Sequence, residues 1–186
     1  MITEAVREYV FNECNSSKSA FGPAFFDHHL LVVREYSGLL AKALGADPEI
    51  VELAAYLHDI AAVQDITPLP KHPVLSAEIA RKLLQEDGYP SERAERVAKC
   101  IMSHSAPMQI RGGPVEEVCL SNADTMSQIV KPVYWLYFAF RIRQLGFAEG
   151  REWLRQRVEN NWAPLIPPAR AIIEKEYSRT RELLTS

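Results

Sequence analysis

The stretch AAYLHDIAAV, Ala54 to Val63, sets a histidine beside an aspartate inside an otherwise apolar run. Alanine, leucine and valine at these positions suit a helix packed into a core. His58 and Asp59 do not, because burying an unpaired imidazole and carboxylate costs several kcal/mol. Groups from elsewhere in the chain, or an ion, must satisfy them. The pair is therefore where the reading of fold and chemistry begins.

Upstream, "GADPEIVELAAYLHDIAAV" has the marks of a helix start. Asp47 suits the N-cap, Pro48 the first helical position, and Glu49 and Glu52 the positive end of the helix dipole. The three prolines of "DITPLPKHP" end that helix. Before it, apolar residues recur at helical spacing from Ala24 to about Leu44, and Gly45 serves as a C-terminal stop. The N-terminal "MITEAVREYVFNEC" interleaves charged and apolar residues as an amphipathic helix, and "NSSKSAFGP" is a loop.

Further along, helices are expected over about Pro73–Asp87, through "RAERVAKCIMSHS", and through "VEEVCLSNADTMSQIV" after Pro114. An aromatic-rich helix headed by Pro132 should end near Gly146. Two more should cover Ala148–Trp162 and Pro168–Leu184. Strand-like alternation and Asn-Gly turns are missing, so the expected class is all-α. With 186 residues and no repeat, linker or low-complexity tract, a single domain over 1–186 is expected.

Composition narrows the partners. Hydrophobic residues make up 47% and charged residues 24%, and the formal charge is −3. This leaves no broad basic field for duplex nucleic acid, while a small anionic substrate stays compatible with a locally positive site. Cys14, Cys100 and Cys119 are odd in number and form no CxxC pair, which suits reduced thiols in a cytoplasmic protein. No apolar run approaches the roughly 20 residues that span a bilayer, so no membrane partner is expected.

The five histidines, His28, His29, His58, His72 and His104, all fall near expected helix ends. Adjacent helical residues point about 100° apart, so His58 and Asp59 do not form an i,i+4 chelate. They reach one ion only if it lies off the helix and other helices bring the remaining ligands. Neutral imidazoles and carboxylates are the donor set preferred by Mn, Fe, Co, Ni and Zn.

The order of these residues resembles the HD superfamily of metal-dependent phosphohydrolases, whose signature is a His, a tandem His-Asp and a distant Asp. Here these are His29, His58-Asp59 and Asp124. "HLLVVREYSGLLAKALGADPEIVELAAYLHDI" is similar to the family's first two core helices, and "SNADTMSQI" to the helix with the last aspartate. "KHPVLSAEIARKLLQEDGYP" and "RVAKCIMSHS" resemble the segments that add His72 and His104. The likeness covers about residues 25–130, with the helices of 131–186 packing on that core. Counting back from "GAD" in family-like sequences puts the first ligand at His29 rather than His28.

The resemblance implies a compact helical bundle with these ligands in a central cleft. It further implies a divalent metal held by His29, His58, Asp59 and Asp124. A second ion would share Asp59 with His72 and His104, and Mg is a further candidate metal. Activated water would attack phosphorus in a nucleotide or other phosphorylated small molecule, with Asp59 the central catalytic group. With a single ion, His72 and His104 would instead contact phosphate or protonate the leaving oxygen.

The chain departs from the family's pattern as well. Many relatives read HDIGK, whereas this chain reads HDIAAVQ and lacks that phosphate-holding lysine. Lys71 and Arg111, in loops beside candidate site residues, are the substitutes considered for substrate binding. Gly88-Tyr89-Pro90 lies between helices upstream of His104 and is not read as the cyclic-di-GMP branch's GYP element, and the alarmone-hydrolase branch's Glu-Asp pair is not evident. Two other functions stay open on the same ligands: a non-hydrolytic nucleotide-sensing module, and a di-iron oxygenase. The aromatic stripe of 133–173 reads first as core packing, with base stacking or homodimerisation as the alternative.

Overall fold

The computed structural model describes residues 1–67, 69–105 and 112–185. Among them there is no strand, and the molecule is all-α. The helices are α1 (Ile2–Asn15), α2 (Leu31–Leu44), α3 (Pro48–Leu57), α4 (Ile60–Gln64), α5 (His72–Glu86) and α6 (Ser91–Ser103). They continue with α7 (Val115–Val130), α8 (Pro132–Tyr137), α9 (Phe147–Trp162) and α10 (Pro167–Thr185). None is long and apolar enough to cross a membrane.

Helix α7 is the axis of the bundle. Eleven of its sixteen residues are buried, because α2, α3, α6, α9 and α10 all pack on it. Its buried polar residues find local partners: the Thr125 hydroxyl donates to Ser121 O at 2.8 Å and the Asn122 amide to Val118 O at 2.9 Å. Helices α5 and α6 form an antiparallel pair against α3, and α1 covers α3 and α4. One continuous apolar core runs from Val6 in α1 to Leu184 in α10, so the C-terminal helices share it with the rest.

The caps read from sequence are in place. Asp47 Oδ1 accepts from the amides of Glu49 (3.1 Å) and Ile50 (3.3 Å) at the start of α3. Gly45 ends α2 with φ of 76°, a left-handed conformation that favours glycine.

Three expected continuous helices are interrupted instead. The helix expected from Ala24 begins with a π-helical turn, Phe26–Leu30, which adds one residue per turn before α2. The helix through the His-Asp pair stops at Leu57 and restarts at Ile60, with Asp59 at φ −110°, ψ 9°. The helix headed by Pro132 changes to a second π-helical turn, Phe138–Ile142, and ends before Gln144, whose φ is 55°. Each break follows a tertiary demand that short-range periodicity does not carry.

Candidate metal centre

Four histidines and two aspartates from five segments converge in the middle of the bundle. His29 comes from the π-helical turn, His58 from the end of α3 and Asp59 from the break before α4. His72 opens α5, His104 ends α6, and Asp124 lies in α7. His29, His58 and His104 are buried, whereas the side chains of Asp59, Asp124 and His72 keep a small exposure of 15–16%.

The break at Asp59 answers the difficulty raised by two neighbours 100° apart. In a continuous helix the carboxylate would turn away from the His58 ring. In the bridge-region conformation it swings back, and its Oδ2 lies 3.3 Å from His58 Nε2 and 3.2 Å from His29 Nε2. Its other oxygen, Oδ1, lies 3.0 Å from His72 Nε2 and 3.7 Å from His104 Nε2. The one carboxylate thus faces two separate histidine pairs.

Each ring is committed from behind. His58, His72 and His104 donate Nδ1–H to the carbonyls of Ala55 (2.9 Å), Leu69 (2.6 Å) and Ile101 (2.6 Å), in each case three residues back. His29 Nδ1 donates to Ser127 Oγ at 3.0 Å, and the Ser127 hydroxyl in turn donates a hydrogen bond to Asp124 O at 2.7 Å. With Nδ1 so engaged, the lone pair of each neutral ring sits on Nε2, facing the centre.

Those lone pairs then meet. His29 and His58 bring Nε2 atoms to 3.1 Å, and so do His72 and His104. Two acceptors at that distance repel unless a cation lies between them. Ligands around a common ion at about 2.0–2.1 Å stand roughly 3–3.4 Å apart, close to the spacings here. His29, His58 and Asp59 form one such group, and Asp59, His72 and His104 the other. Asp124 Oδ1 stands 3.5 Å from His29 Nε2 and is steadied by the Gln128 amide, which donates to it at 3.3 Å. The donor set fits one or two divalent transition metals.

The electrostatics agree. Burial pushes the His58 imidazolium down, but the Asp59 and Asp124 charges outweigh it and lift the pKa to about 9. Burial also works against the Asp59 anion, yet His58, His29 and His72 hold its pKa well below the usual carboxylate range. The centre stabilises positive charge at Nε2, a proton's or an ion's. Burial and the neighbouring His58 push His104 down to about 4, which keeps that ring neutral and able to ligate.

Of the histidines considered for the first ligand, the structure brings in His29. His28 is exposed and stacks on Tyr134 instead, with ring centroids 6.0 Å apart. Lys71 is exposed and is not among the side chains lining the central cavity, and Arg111 lies outside the described residues. The cavity, about 550 Å³, is lined by five of the candidate ligands, His29, Asp59, His72, His104 and Asp124. The same cavity is lined by side chains the sequence reading did not assign to a site: Trp135, Phe138, Arg143, Trp153 and Arg157. The aromatic stripe therefore divides, part buried in the core and part facing the cavity. The one signal for Arg157 was its i,i+4 spacing from Trp153, which puts both on one face of α9.

Known proteins resemble this chain in sequence and in fold. Over 99 residues, 53% of this chain, the sequence is 30% identical to ribonuclease Y of Clostridium kluyveri, and it spans 17% of that longer protein. The fold resembles Bacillus subtilis YpgQ, solved in complex with ADP, with a TM-score of 0.71 and 18% identity over 98% of this chain and 94% of that one. A Lactobacillus plantarum protein gives 0.69 and 16% identity, over 99% and 93%. The HD-domain family matches residues 26–129, more than half the chain and the span that holds every ligand described above. This chain belongs to the HD-domain family.

Proposed function

We propose that this protein is a metal-dependent phosphohydrolase acting on a nucleotide or another phosphorylated small molecule. One observation carries the reading: the two oxygens of Asp59 each face a pair of histidine Nε2 atoms across the floor of a cavity. His29, His58, Asp59 and Asp124 would hold one divalent ion, and Asp59, His72 and His104 a second. When bound, such ions supply Lewis acidity, which acidifies a water and draws charge from phosphoryl oxygens. HD-family membership and the ADP bound to the fold relative YpgQ support the nucleotide class.

The chain's own groups prepare the rest. Ser127 and the three i−3 carbonyls hold the imidazole rings in register, so binding needs little reorganisation. Gln128, itself gripped by Asn161 at 2.9 Å, orients Asp124. Phe21, Phe25, Trp135 and Phe138 line the cavity and keep the reacting groups from bulk water. His72 is the most accessible of the four imidazoles, and only with a single ion at His29, His58, Asp59 and Asp124 would it be free to pass a proton to a leaving oxygen.

The test is Asp59→Ala, read by elemental analysis and by a screen of phosphorylated metabolites with each divalent metal. Both metal content and turnover should fall, turnover by ~100-fold or more, beyond what losing an outer-shell partner brings. Circular dichroism should stay helical. Full metal content in the variant would remove the site assignment. Two irons with a visible absorption band would indicate an oxygenase, and nucleotide binding without turnover a sensor.

A further inference from the structure

The cavity that the candidate ligands line also carries a cation with no carboxylate within ion-pair distance among the described residues. Arg157, in α9, lies outside the family-matched span, and its guanidinium carbon sits 5.2 Å from the Trp135 ring and 5.3 Å from the Trp153 ring. Between two indoles a guanidinium is held by its faces while its N–H edges remain free. Its Nε is buried without a hydrogen-bond partner, and no described carboxylate lies within 4.0 Å of its nitrogens. A desolvated, unpaired charge is unfavourable unless an anion completes it.

Its setting supports this. Burial, the largest influence, pushes the guanidinium below its ordinary range, Arg143 adds repulsion, and Asp124 and Asp59 oppose both. Arg143, whose guanidinium carbon also stands 5.3 Å from the Trp153 ring, is exposed and lines the same cavity. Trp135 touches both groups: its ring meets His29 edge-on at 5.6 Å and Arg157 at 5.2 Å. A single indole thus separates the ligand cluster from the free guanidinium.

We propose that Arg157, caged by Trp135 and Trp153 and assisted by Arg143, binds a second phosphoryl group of the substrate while the first lies at the metal centre. This deepens the phosphohydrolase reading and rests on it for the position of the first group. The substrate class is then a diphosphate or longer phosphoanhydride rather than a simple phosphomonoester. Arginine suits the task because its planar fork meets phosphate oxygens in pairs. The position also compensates for the lysine missing after the His-Asp pair, with a cation supplied from the C-terminal helices.

The experiment is a calorimetric titration of the whole protein in Mg²⁺ with ADP and, separately, AMP. Wild type should bind ADP at least ~10-fold more tightly than AMP. Arg157→Gln should erase that preference and leave AMP affinity within about twofold. Arg143→Gln, on an exposed side chain, should lower the preference by about threefold, and Arg157→Lys should retain part of it. No preference in wild type, or an undiminished one in a folded Arg157→Gln, overturns the proposal. Should Arg157→Gln fail to fold, an unchanged preference in both Arg143→Gln and Arg157→Lys overturns it equally. Hydrolysis of p-nitrophenyl phosphate, followed in parallel, separates the two readings: turnover without ADP preference removes the second subsite and leaves the phosphohydrolase standing.

Discussion

Ser127 touches no candidate ligand atom that faces the metal centre, yet its hydroxyl fixes which nitrogen of His29 does. Its Oγ accepts from His29 Nδ1 at 3.0 Å and donates to Asp124 O at 2.7 Å, coupling the first and last residues of the ligand order. Ser127→Ala should weaken divalent-metal affinity by roughly 10–100-fold, the range for losing such a partner, with helicity unchanged. Competition with a chromogenic chelator measures it; an unchanged affinity would mean that packing against Phe25 and Trp135 alone orients the ring. At this scale the letters were informative and the conformations were not. His29, His58, Asp59, His72, His104 and Asp124 are chemically suited to one task and sit near helix ends. That Asp59 would leave helical geometry to face both histidine pairs depends on His72 and His104, which come from distant helices. Ser127 and Arg157 were invisible for the same reason, being ordinary helix residues until a partner from another element arrives.

The elements were legible where glycine, proline or a capping side chain punctuates them, as at Gly45 and at Asp47-Pro48. Asp47 also does more than cap. Besides receiving two amides of α3, its carboxylate receives Arg93 Nη1 at 3.0 Å, and its own amide donates to Glu116 Oε1 at 3.3 Å. Arg96 completes the link to Glu116 at 2.7 Å, so one turn ties α3 to α6 and α7. Burial works against the Asp47 anion, but Arg93 and the capping amides win and lower its pKa below the ordinary 3.8. A depressed carboxylate contributes stability that is present above its unfolded value and is lost as pH falls through the folded one. Asparagine can still accept the capping amides, so Asp47→Asn removes only the charge paired with the partly exposed Arg93 and should cost about 0.2–1 kcal/mol near neutrality. The difference from wild type should shrink as the pH drops below the ordinary carboxylate value. Urea unfolding at several pH values reads this directly, and a gap that widens in acid would contradict it. The π-helical turns at Phe26–Leu30 and Phe138–Ile142 were not legible, because their sequences fit an α-helix equally well. The extra residue in each is set by what the segment must reach: His29 the centre in one, and a chain reversal before α9 in the other.

On the scale of the whole molecule, the question is whether the C-terminal helices open with the metal-binding core or apart from it. The packing argues for one unit. Trp162 stacks on Tyr177 at 3.9 Å, the Thr180 hydroxyl donates to Ile129 O at 2.9 Å, and α9 and α10 both pack on α7. The cysteines provide the probe. Cys14, Cys100 and Cys119 are free, come from α1, α6 and α7, and are buried in the shared core. Burial, with nearby acidic groups adding to it, pushes the Cys14 and Cys119 thiols up to about 12, and Cys100 is raised for the same reasons. Near pH 8 a thiol of that kind is about one part in ten thousand thiolate, the reactive form, and here it is also out of reach. The native protein should therefore leave all three cysteines unmodified by a thiol reagent over minutes, and the unfolded chain should react at three. At intermediate urea the three should label at one common rate that follows global unfolding, because each requires the same core to open. Mass spectrometry of the labelled peptides separates the sites. A Cys14 that reacts ahead of Cys100 and Cys119 would show α1 opening by itself, and would make the N-terminal helix a removable cover over α3 and α4 rather than part of the cooperative fold.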